Sequence, residues 1–139
     1  MRTMLFVVAL ASAAACSKGK PTTDDHAATA AAVPTITVDE VDAHLAKGAC
    51  QPIDANGAPT RQKLGVLPGA VLLTDSDQFA LSELPADKAK ELVFYCANTS
   101  CGASHHAAEK AIAAGYANVK VMPEGIAGWV KAGKKTQSL

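Results

Sequence analysis

The segment that leads into Cys96 constrains the fold of this chain more than any other. An apolar, β-prone run ends abruptly on that cysteine, and the helical pattern that follows begins at Ser104 after a loop of small residues. In open α/β sheets, ligands bind at the carboxyl ends of the strands. Backbone N–H groups near a helix N-terminus favour an anion, including a thiolate, and lower the pKa of a cysteine there. The segment therefore predicts a reactive thiol at Cys96.

The predicted active-site loop is rich in small and polar residues and contains a second cysteine. The loop consists of Ala97, Asn98, Thr99, Ser100, Cys101, Gly102, Ala103 and Ser104. In an oxidising compartment Cys101 can form a disulfide with Cys96, provided that the two Cα atoms lie within about 7 Å of each other. Alternatively, Cys101 can act as a resolving thiol that attacks a persulfide or sulfenate on Cys96. The sequence leaves both roles open.

The size and charge of the chain exclude several classes of protein. The chain has 139 residues, 49% of them hydrophobic, and a formal net charge of zero. This length is typical of one compact domain. Nucleic-acid binding usually requires a basic face, and the charge balance offers none. It also offers no polybasic patch for a membrane surface.

The first residues have the pattern of an export signal. A positive charge at Arg2, a short apolar core and a run of small residues fill residues 1–15, and Cys16 follows. The pattern resembles a bacterial lipoprotein processing site, although Ala13 stands where such sites usually have Leu. The resemblance implies a lipidated Cys16 as first residue of the mature chain, facing the periplasm from the cell envelope. Cleavage after Ala15 without lipidation is the alternative, and it gives a soluble exported protein.

The rest of the chain divides into a tether, one domain and a short tail. Residues 16–34 show no sustained amphipathic period and cannot bury enough apolar surface to offset their ordering entropy. They predict a flexible tether, so the membrane is contacted only through the lipid anchor. Residues 35–135 form the predicted domain, and residues 136–139 its tail.

Strands alternate with helices along the predicted domain. Strands are expected at residues 51–54, 70–73, 92–95 and 118–122, and helices or turns at 38–47, 76–84, 104–114 and 126–131. Such alternation predicts an α/β fold with a largely parallel central sheet and helices on both faces.

Four local expectations accompany this assignment. A Thr37–Glu40 capping box begins the first helix. Pro52 predicts either that its strand lies at an edge of the sheet or that the proline begins the strand. Residues 57–68 read as a loop, and Ile112 shares the apolar face of its helix with Ala108 and Ala111.

The order of the motifs resembles the rhodanese family of sulfurtransferases. Five segments carry the resemblance, over roughly residues 35–134: Ile53-Asp54-Ala55-Asn56, Gly65-Val66-Leu67-Pro68-Gly69-Ala70, Val93-Phe94-Tyr95-Cys96, Gly115-Tyr116-Ala117-Asn118-Val119 and Glu124-Gly125-Ile126-Ala127-Gly128-Trp129. The sequence departs from the family at Asn56, where arginine is usual, and at Val66, where histidine is common. Its loop before Ser104 is longer than the common one.

The resemblance implies a sulfurtransferase that carries sulfane sulfur as a persulfide on Cys96. A small donor such as thiosulfate would supply the sulfur, and a thiol or cyanide-like acceptor would remove it, with no cofactor. The N–H groups from Ala97 to Gly102 would cradle the persulfide or the anionic oxygens of the donor. Related phosphatases and arsenate reductases need an arginine in this loop to clamp an oxyanion, and this loop has neither Arg nor Lys.

Two other functions fit the same residues. One is a thiol–disulfide redox protein that uses Cys96 and Cys101. The other is a rhodanese-fold binding module without turnover, in which the two cysteines form a structural disulfide. His105 and His106 lie close enough in sequence to bind a soft metal with the cysteines, but the spacing disfavours a closed zinc site and no metal is expected. Cys50 is expected to be a small buried apolar residue.

Overall fold

The computed structural model describes residues 32–139. The predicted signal peptide, the lipidation site Cys16 and most of the tether lie outside the described residues. The helices are α1 (Val38–Ala46), α2 (Ala58–Leu64), α3 (Ala103–Ala113) and α4 (Gly125–Lys131), with a short 3₁₀ helix at Leu81–Glu83. The strands are β1 (Cys50–Asp54), β2 (Val71–Leu72), β3 (Glu91–Tyr95) and β4 (Val119–Met122).

The four strands form one parallel sheet in the order β2-β1-β3-β4. Ile53 pairs with Phe94 in the central strands, and Phe94 pairs with Val121 on its other side. All the carboxyl ends therefore meet at one edge of the sheet, where ligands bind in folds of this class. This confirms the predicted α/β architecture.

Two cores, one on each face of the sheet, follow from the alternation of side chains along β3. Leu92 and Phe94 face a core completed by three buried alanines of α3, whereas Val93 and Tyr95 face a core shared with α1 and α4. Strands buried on both faces read as continuous apolar runs, as β3 does. The helices thus lie on both faces of the sheet, as predicted.

Local signals place the first helix correctly. Thr37 is the N-cap of α1, and its hydroxyl oxygen accepts a hydrogen bond from the Glu40 N–H while Glu40 accepts one from the Thr37 N–H. This reciprocal pairing satisfies N–H groups that the first turn leaves free. Gly48, at a φ of +64°, follows the end of the helix in a conformation that favours glycine.

The prediction of a loop over residues 57–68 is wrong for most of that segment. Residues Ala58–Leu64 form α2, with Gly57 as N-cap and a proline in the first turn. Proline is well tolerated there because the first N–H groups of a helix have no intrahelical partner. Leu64 packs against the core that α1 and α4 share, although α2 itself contains no fully buried residue.

The prediction for Pro52 is also wrong. Pro52 is the third of five residues in β1, which lies between β2 and β3. It is tolerated because β2 pairs only with Ile53 and Asp54, so the ladder needs no N–H from Pro52 on that side.

Ile112 does not lie on the buried face of α3. It is 42% exposed, while Ala107, Ala108 and Ala111 form the buried face. The small side chains let the helix approach the sheet closely, and the larger isoleucine faces outward.

The packed region extends slightly beyond residues 35–135 at both ends. The Pro34 carbonyl accepts a hydrogen bond from the Val121 N–H, and Val33 is buried. At the other end, Gln137 exchanges two backbone hydrogen bonds with Val66. In the part of the chain that is described, no helix has the length and apolar character to cross a membrane.

Candidate active site

Cys96 is held at the carboxyl edge of the sheet by its neighbours in the fold. It follows Tyr95, the last residue of β3, and its carbonyl accepts a hydrogen bond of 2.9 Å from the Ile126 N–H. The Ala97 carbonyl likewise accepts one of 3.0 Å from the Ala127 N–H. The first turn of α4 therefore fixes the backbone at the start of the loop.

Gly125 makes that attachment possible. It adopts a φ of +60°, and a Cβ at this position would lie 2.5 Å from the Cys96 carbonyl oxygen. No side chain fits in so short a distance, and the positive φ itself favours glycine. The glycine of the Glu124–Trp129 motif thus has a direct role in placing the cysteine.

The Cys96 thiol is buried and hydrogen-bonded. Its side chain belongs to a residue only 2% exposed, and its S–H donates to the Cys101 carbonyl oxygen at 3.2 Å. Its sulfur also lies 3.3 Å from the hydroxyl oxygen of Ser104, which is 1% exposed. Ser104 is in the first turn of α3, so the helix brings a hydroxyl to the sulfur.

The surroundings of Cys96 oppose its ionisation at rest. Burial raises the pKa of the thiol, and the neighbouring Cys101 side chain raises it further, whereas the hydroxyl and the N–H of Ser104 lower it. The net pKa is above the usual value. The sequence argument for a lowered pKa at Cys96 is therefore wrong for the resting loop, because burial outweighs the donors that face the sulfur.

Cys101 is the more acidic thiol of the pair. Burial alone would raise its pKa, but the neighbouring Cys96 side chain and the N–H groups of Ala97 and Ala103 together lower it. Cys101 is only partly buried, so the burial penalty is smaller there. Sequence reasoning assigned the lowered pKa to Cys96, whereas the structure assigns it to Cys101. The difference depends on burial and on groups that only the folded loop brings near each sulfur.

The folded loop uses some of the N–H groups that were predicted to cradle a ligand. The Cys101 N–H donates to the Asn98 carbonyl at 3.0 Å, and the Ser100 N–H donates to the Asn98 side chain at 3.0 Å. Asn98 therefore closes a turn within the loop. The N–H groups that lower the thiol pKa values are instead those of Ala97 and Ala103 for Cys101 and that of Ser104 for Cys96.

The remaining predicted site residues lie at the outside of the loop. Asn98, Thr99, Ser100 and Gly102 are exposed, and Gly102 is the N-cap of α3. Cys96 and Cys101 are both free thiols. The His106 ring lies 3.6 Å from the Asp77 carboxylate at the surface. Within residues 32–139, no cluster of three or more His, Cys, Asp or Glu side chains is arranged to hold a metal ion.

Arg61 is a residue near this edge that sequence reasoning did not identify. It extends from α2 to the fully buried Asp54 at the end of β1, with its Nε 3.1 Å from the carboxylate. Its guanidinium also donates to the carbonyl oxygens of Asp54 and Leu73, which lie at the ends of two adjacent strands. Proline in the first turn and Gly65 after the last are the signals that could have identified α2, and Arg61 with it.

Arg61 and the Asn56 backbone share the carboxylate of Asp54. Asn56 is buried, and its N–H donates to the Asp54 carboxylate at 2.7 Å. A buried carboxylate needs a cation and hydrogen-bond donors to remain charged. Arg61 is thus committed to the end of β1, and the loop after Cys96 contains no cation of its own.

Several solved structures share this fold. A protein from Bacillus halodurans matches with a TM-score of 0.66 and 19% identity, over 76% of this chain and 77% of that one. A rhodanese-like domain protein from Staphylococcus aureus matches with a TM-score of 0.61 and 22% identity, over 76% of this chain and 100% of that one.

A third similar structure is described differently. A protein of unknown function from Rhodopseudomonas palustris, described as a possible tyrosine phosphatase, matches with a TM-score of 0.62 and 23% identity, over 76% of this chain and 85% of that one. At these identities the three structures show a common fold alone. No curated protein matches the chain.

A family model assigns the domain. The model of the rhodanese-like domain matches residues 37–132, which include every helix and strand described above. This agrees with the five motif segments and with the parallel sheet that ends at Cys96. The chain therefore belongs to the rhodanese-like domain family.

Proposed function

We propose that this protein is a sulfurtransferase that carries sulfane sulfur as a persulfide on Cys96. The observation that carries the proposal is the position of this thiol. It lies at the carboxyl end of a central strand, with the Ser104 hydroxyl oxygen 3.3 Å and the Cys101 carbonyl oxygen 3.2 Å from its sulfur. A cysteine in such surroundings can lose its proton during the reaction and act as a nucleophile.

The first step of the proposed reaction loads the sulfur. The Cys96 thiol passes its proton to water, and the Cys96 thiolate attacks the sulfane sulfur of thiosulfate. A new S–S bond forms at Cys96 as the S–S bond of thiosulfate breaks, and its electron pair leaves with sulfite. The N–H and hydroxyl of Ser104, which lower the pKa of Cys96, stabilise the anionic sulfur during this step.

The second step unloads the sulfur. A thiol or cyanide acceptor attacks the outer sulfur of the persulfide, and the S–S bond breaks with its electron pair returning to Cys96. The acceptor leaves as a persulfide or as thiocyanate. Every atom is accounted for without a cofactor, as covalent catalysis by a single sulfur nucleophile requires.

The loop limits which donors bind well. It contains neither Lys nor Arg, and Arg61 is bound to the buried Asp54. A dianion such as thiosulfate therefore meets only uncharged donors in the loop, without the bidentate clamp that an arginine provides. The absence of that clamp argues against a phosphatase activity for this chain and favours donors with little charge around the sulfur.

The location of the protein belongs to the same proposal. We propose that the chain is exported, lipidated at Cys16 and held in the cell envelope, with the domain facing the periplasm. The support is the pattern of residues 1–16, a charged start and apolar core followed by small residues before a cysteine. Mass analysis of the membrane fraction after expression in a Gram-negative host tests this, with Cys16→Ala as the control that should lose the lipid.

Intact mass spectrometry before and after thiosulfate tests the sulfur-carrier function. The reduced Cys101→Ser protein should gain one sulfur atom, and Cys96→Ser should gain none. Thiosulfate:cyanide turnover should fall to background in Cys96→Ser and should change less than about twofold in Cys50→Ala, whose thiol lies at the other end of the sheet.

Two outcomes would replace this proposal. Reversible formation of a Cys96–Cys101 disulfide, with no sulfur gained by any variant, would indicate a thiol–disulfide redox protein. Neither sulfur gain nor redox turnover would indicate a binding module.

A further inference from the structure

Cys101 is the group in the site that a simple sulfur carrier does not need. We propose that Cys101 is an internal acceptor, which attacks the Cys96 persulfide, releases hydrosulfide and leaves a Cys96–Cys101 disulfide. This inference rests on the proposed persulfide at Cys96 and names the fate of its sulfur. The protein would then release sulfide from sulfane-sulfur donors and not only pass the sulfur onward.

The contacts between the two cysteines support this role. The Cys96 thiol donates a hydrogen bond of 3.2 Å to the Cys101 carbonyl, and each of the two thiols shifts the pKa of the other. Both thiols are free. A nucleophile already positioned beside its target avoids the entropy loss of a bimolecular encounter.

The exposure of the two thiols also supports Cys101 as the internal acceptor. Cys96 is 2% exposed, so an external acceptor must reach a sulfur that the fold almost covers. Cys101 is partly exposed and lies inside the same loop. The internal thiol is therefore better placed than a thiol in solution to reach the inner sulfur of the persulfide.

The loop also prepares Cys101 as the attacking group. The N–H groups of Ala97 and Ala103 lower the pKa of Cys101 and so favour its thiolate, which is the form that exchanges with S–S bonds. These two residues lie on either side of Cys101 in sequence, and the Cys101 N–H donates to the Asn98 carbonyl in the turn between Ala97 and Cys101. Nothing else in the proposed sulfur-carrier reaction requires a stabilised thiolate at this position.

The proposed step is an exchange between the Cys101 thiolate and the S–S bond of the Cys96 persulfide. The Cys101 thiolate attacks the Cys96 sulfur of the persulfide, and a bond forms between the two cysteine sulfurs. The bond to the outer sulfur breaks, and that sulfur leaves with the electron pair as hydrosulfide. The sulfane sulfur is reduced and the two cysteines are oxidised to a disulfide. A dithiol, small or protein-borne, must then return two electrons and two protons through exchange that begins at the more exposed Cys101.

The experiment follows the sulfur and the thiols together, without oxygen. All variants carry Cys16→Ser and Cys50→Ala in the full chain, which leaves Cys96 and Cys101 as the only thiols. The reduced proteins are treated with thiosulfate and, separately, with glutathione persulfide, and are then separated from the donor. Intact mass and released sulfide are measured for this two-thiol protein, for Cys101→Ser and for Cys96→Ser, with a donor-free incubation as control.

We expect a different product from each variant. The two-thiol protein should lose two hydrogens and release about one equivalent of sulfide, as the stoichiometry of exchange requires. Cys101→Ser should keep one added sulfur and release at least about tenfold less sulfide. Cys96→Ser should do neither. A second round of release should follow when a dithiol such as dithiothreitol is added with fresh donor.

Two results would overturn the inference, and they can be told apart. If the two-thiol protein keeps the added sulfur as stably as Cys101→Ser does, the proposed function stands and the internal-acceptor role of Cys101 is wrong. If neither protein gains sulfur or releases sulfide with either donor, the persulfide at Cys96 is wrong and the inference fails with it.

Discussion

Cys50 and Cys96 are both buried thiols on adjacent strands, but they lie at opposite ends of the sheet. Cys50 is the first residue of β1, is 6% exposed and pairs in register with Glu91. Cys96 follows the last residue of β3 and is 2% exposed. Burial raises the pKa of both thiols.

The groups around the two sulfurs differ. At Cys50, burial and then the negative charge of Glu91 raise the pKa to about 11, with only weak opposition from two lysines. At Cys96, the hydroxyl and N–H of Ser104 lower the pKa and so oppose the effect of burial, whereas the neighbouring Cys101 raises it. Burial alone makes a thiol inert, and hydrogen-bond donors at a strand end make it available for chemistry.

Alkylation should separate the two ends of the sheet most strongly. At pH 8, iodoacetamide should modify Cys101 at least about a hundredfold faster than Cys50, because only a small fraction of a thiol with a pKa near 11 is thiolate. Fragmentation mass spectrometry of the wild-type protein resolves the individual sites. Modification of Cys50 within tenfold of Cys101 would contradict the contrast between the two environments.

Removing the Ser104 hydroxyl should make Cys96 more like Cys50. In a Cys101→Ser background, Ser104→Ala should raise the pKa of Cys96 and slow sulfur loading at neutral pH by about tenfold, since a hydrogen bond to a charged group is lost. The pH profile of Cys96 alkylation should shift to higher pH.

Two further variants control for a structural effect of that change. Ser104→Thr should restore the profile, whereas Ser100→Ala, at an exposed loop position whose side chain makes no hydrogen bond to either cysteine, should not alter it. An unchanged profile in Ser104→Ala would show that the hydroxyl does not stabilise the Cys96 thiolate.

The smallest expected effect concerns Glu91. Burial resists ionisation of this carboxyl, but Lys120 and His44 hold its pKa below the usual value. A lowered pKa contributes stability that is present above the unfolded-state pKa of about 4.3 and is lost as the pH falls through the folded-state pKa. Glu91→Gln should therefore lower the unfolding free energy by about 1 kcal/mol or less at pH 7, and this difference should disappear in acid.

The same substitution tests whether the two ends of the sheet are independent. Loss of the negative charge should lower the pKa of Cys50 and speed its alkylation by a few-fold, with Cys96 unchanged. Denaturant melts between pH 3 and 7 measure the stability effect, and the alkylation assay measures the thiols. A shift at Cys96 would mean that the ends are coupled.

Signals within a few consecutive residues predicted much of this fold. The capping box at Thr37 and Glu40, the apolar run of β3 and the glycine after each long helix depend only on neighbours along the chain. These signals were sufficient for the alternation of strands and helices, and so for the parallel sheet. Helix α2 was missed because its proline and flanking glycines also fit a loop, and the packing of Leu64 against the core forms only in the folded molecule.

The sequence by itself placed Cys96 at the carboxyl end of a strand and put Cys101 in the same loop, because strand, loop and helix signals are local. Only the tertiary structure decided which of the two thiols is the more acidic. That balance depends on the burial of each thiol and on the N–H groups of Ala97, Ala103 and Ser104, which shift the two pKa values. Ionisation responds to every group around a sulfur in space, and most of those groups are brought there by the fold.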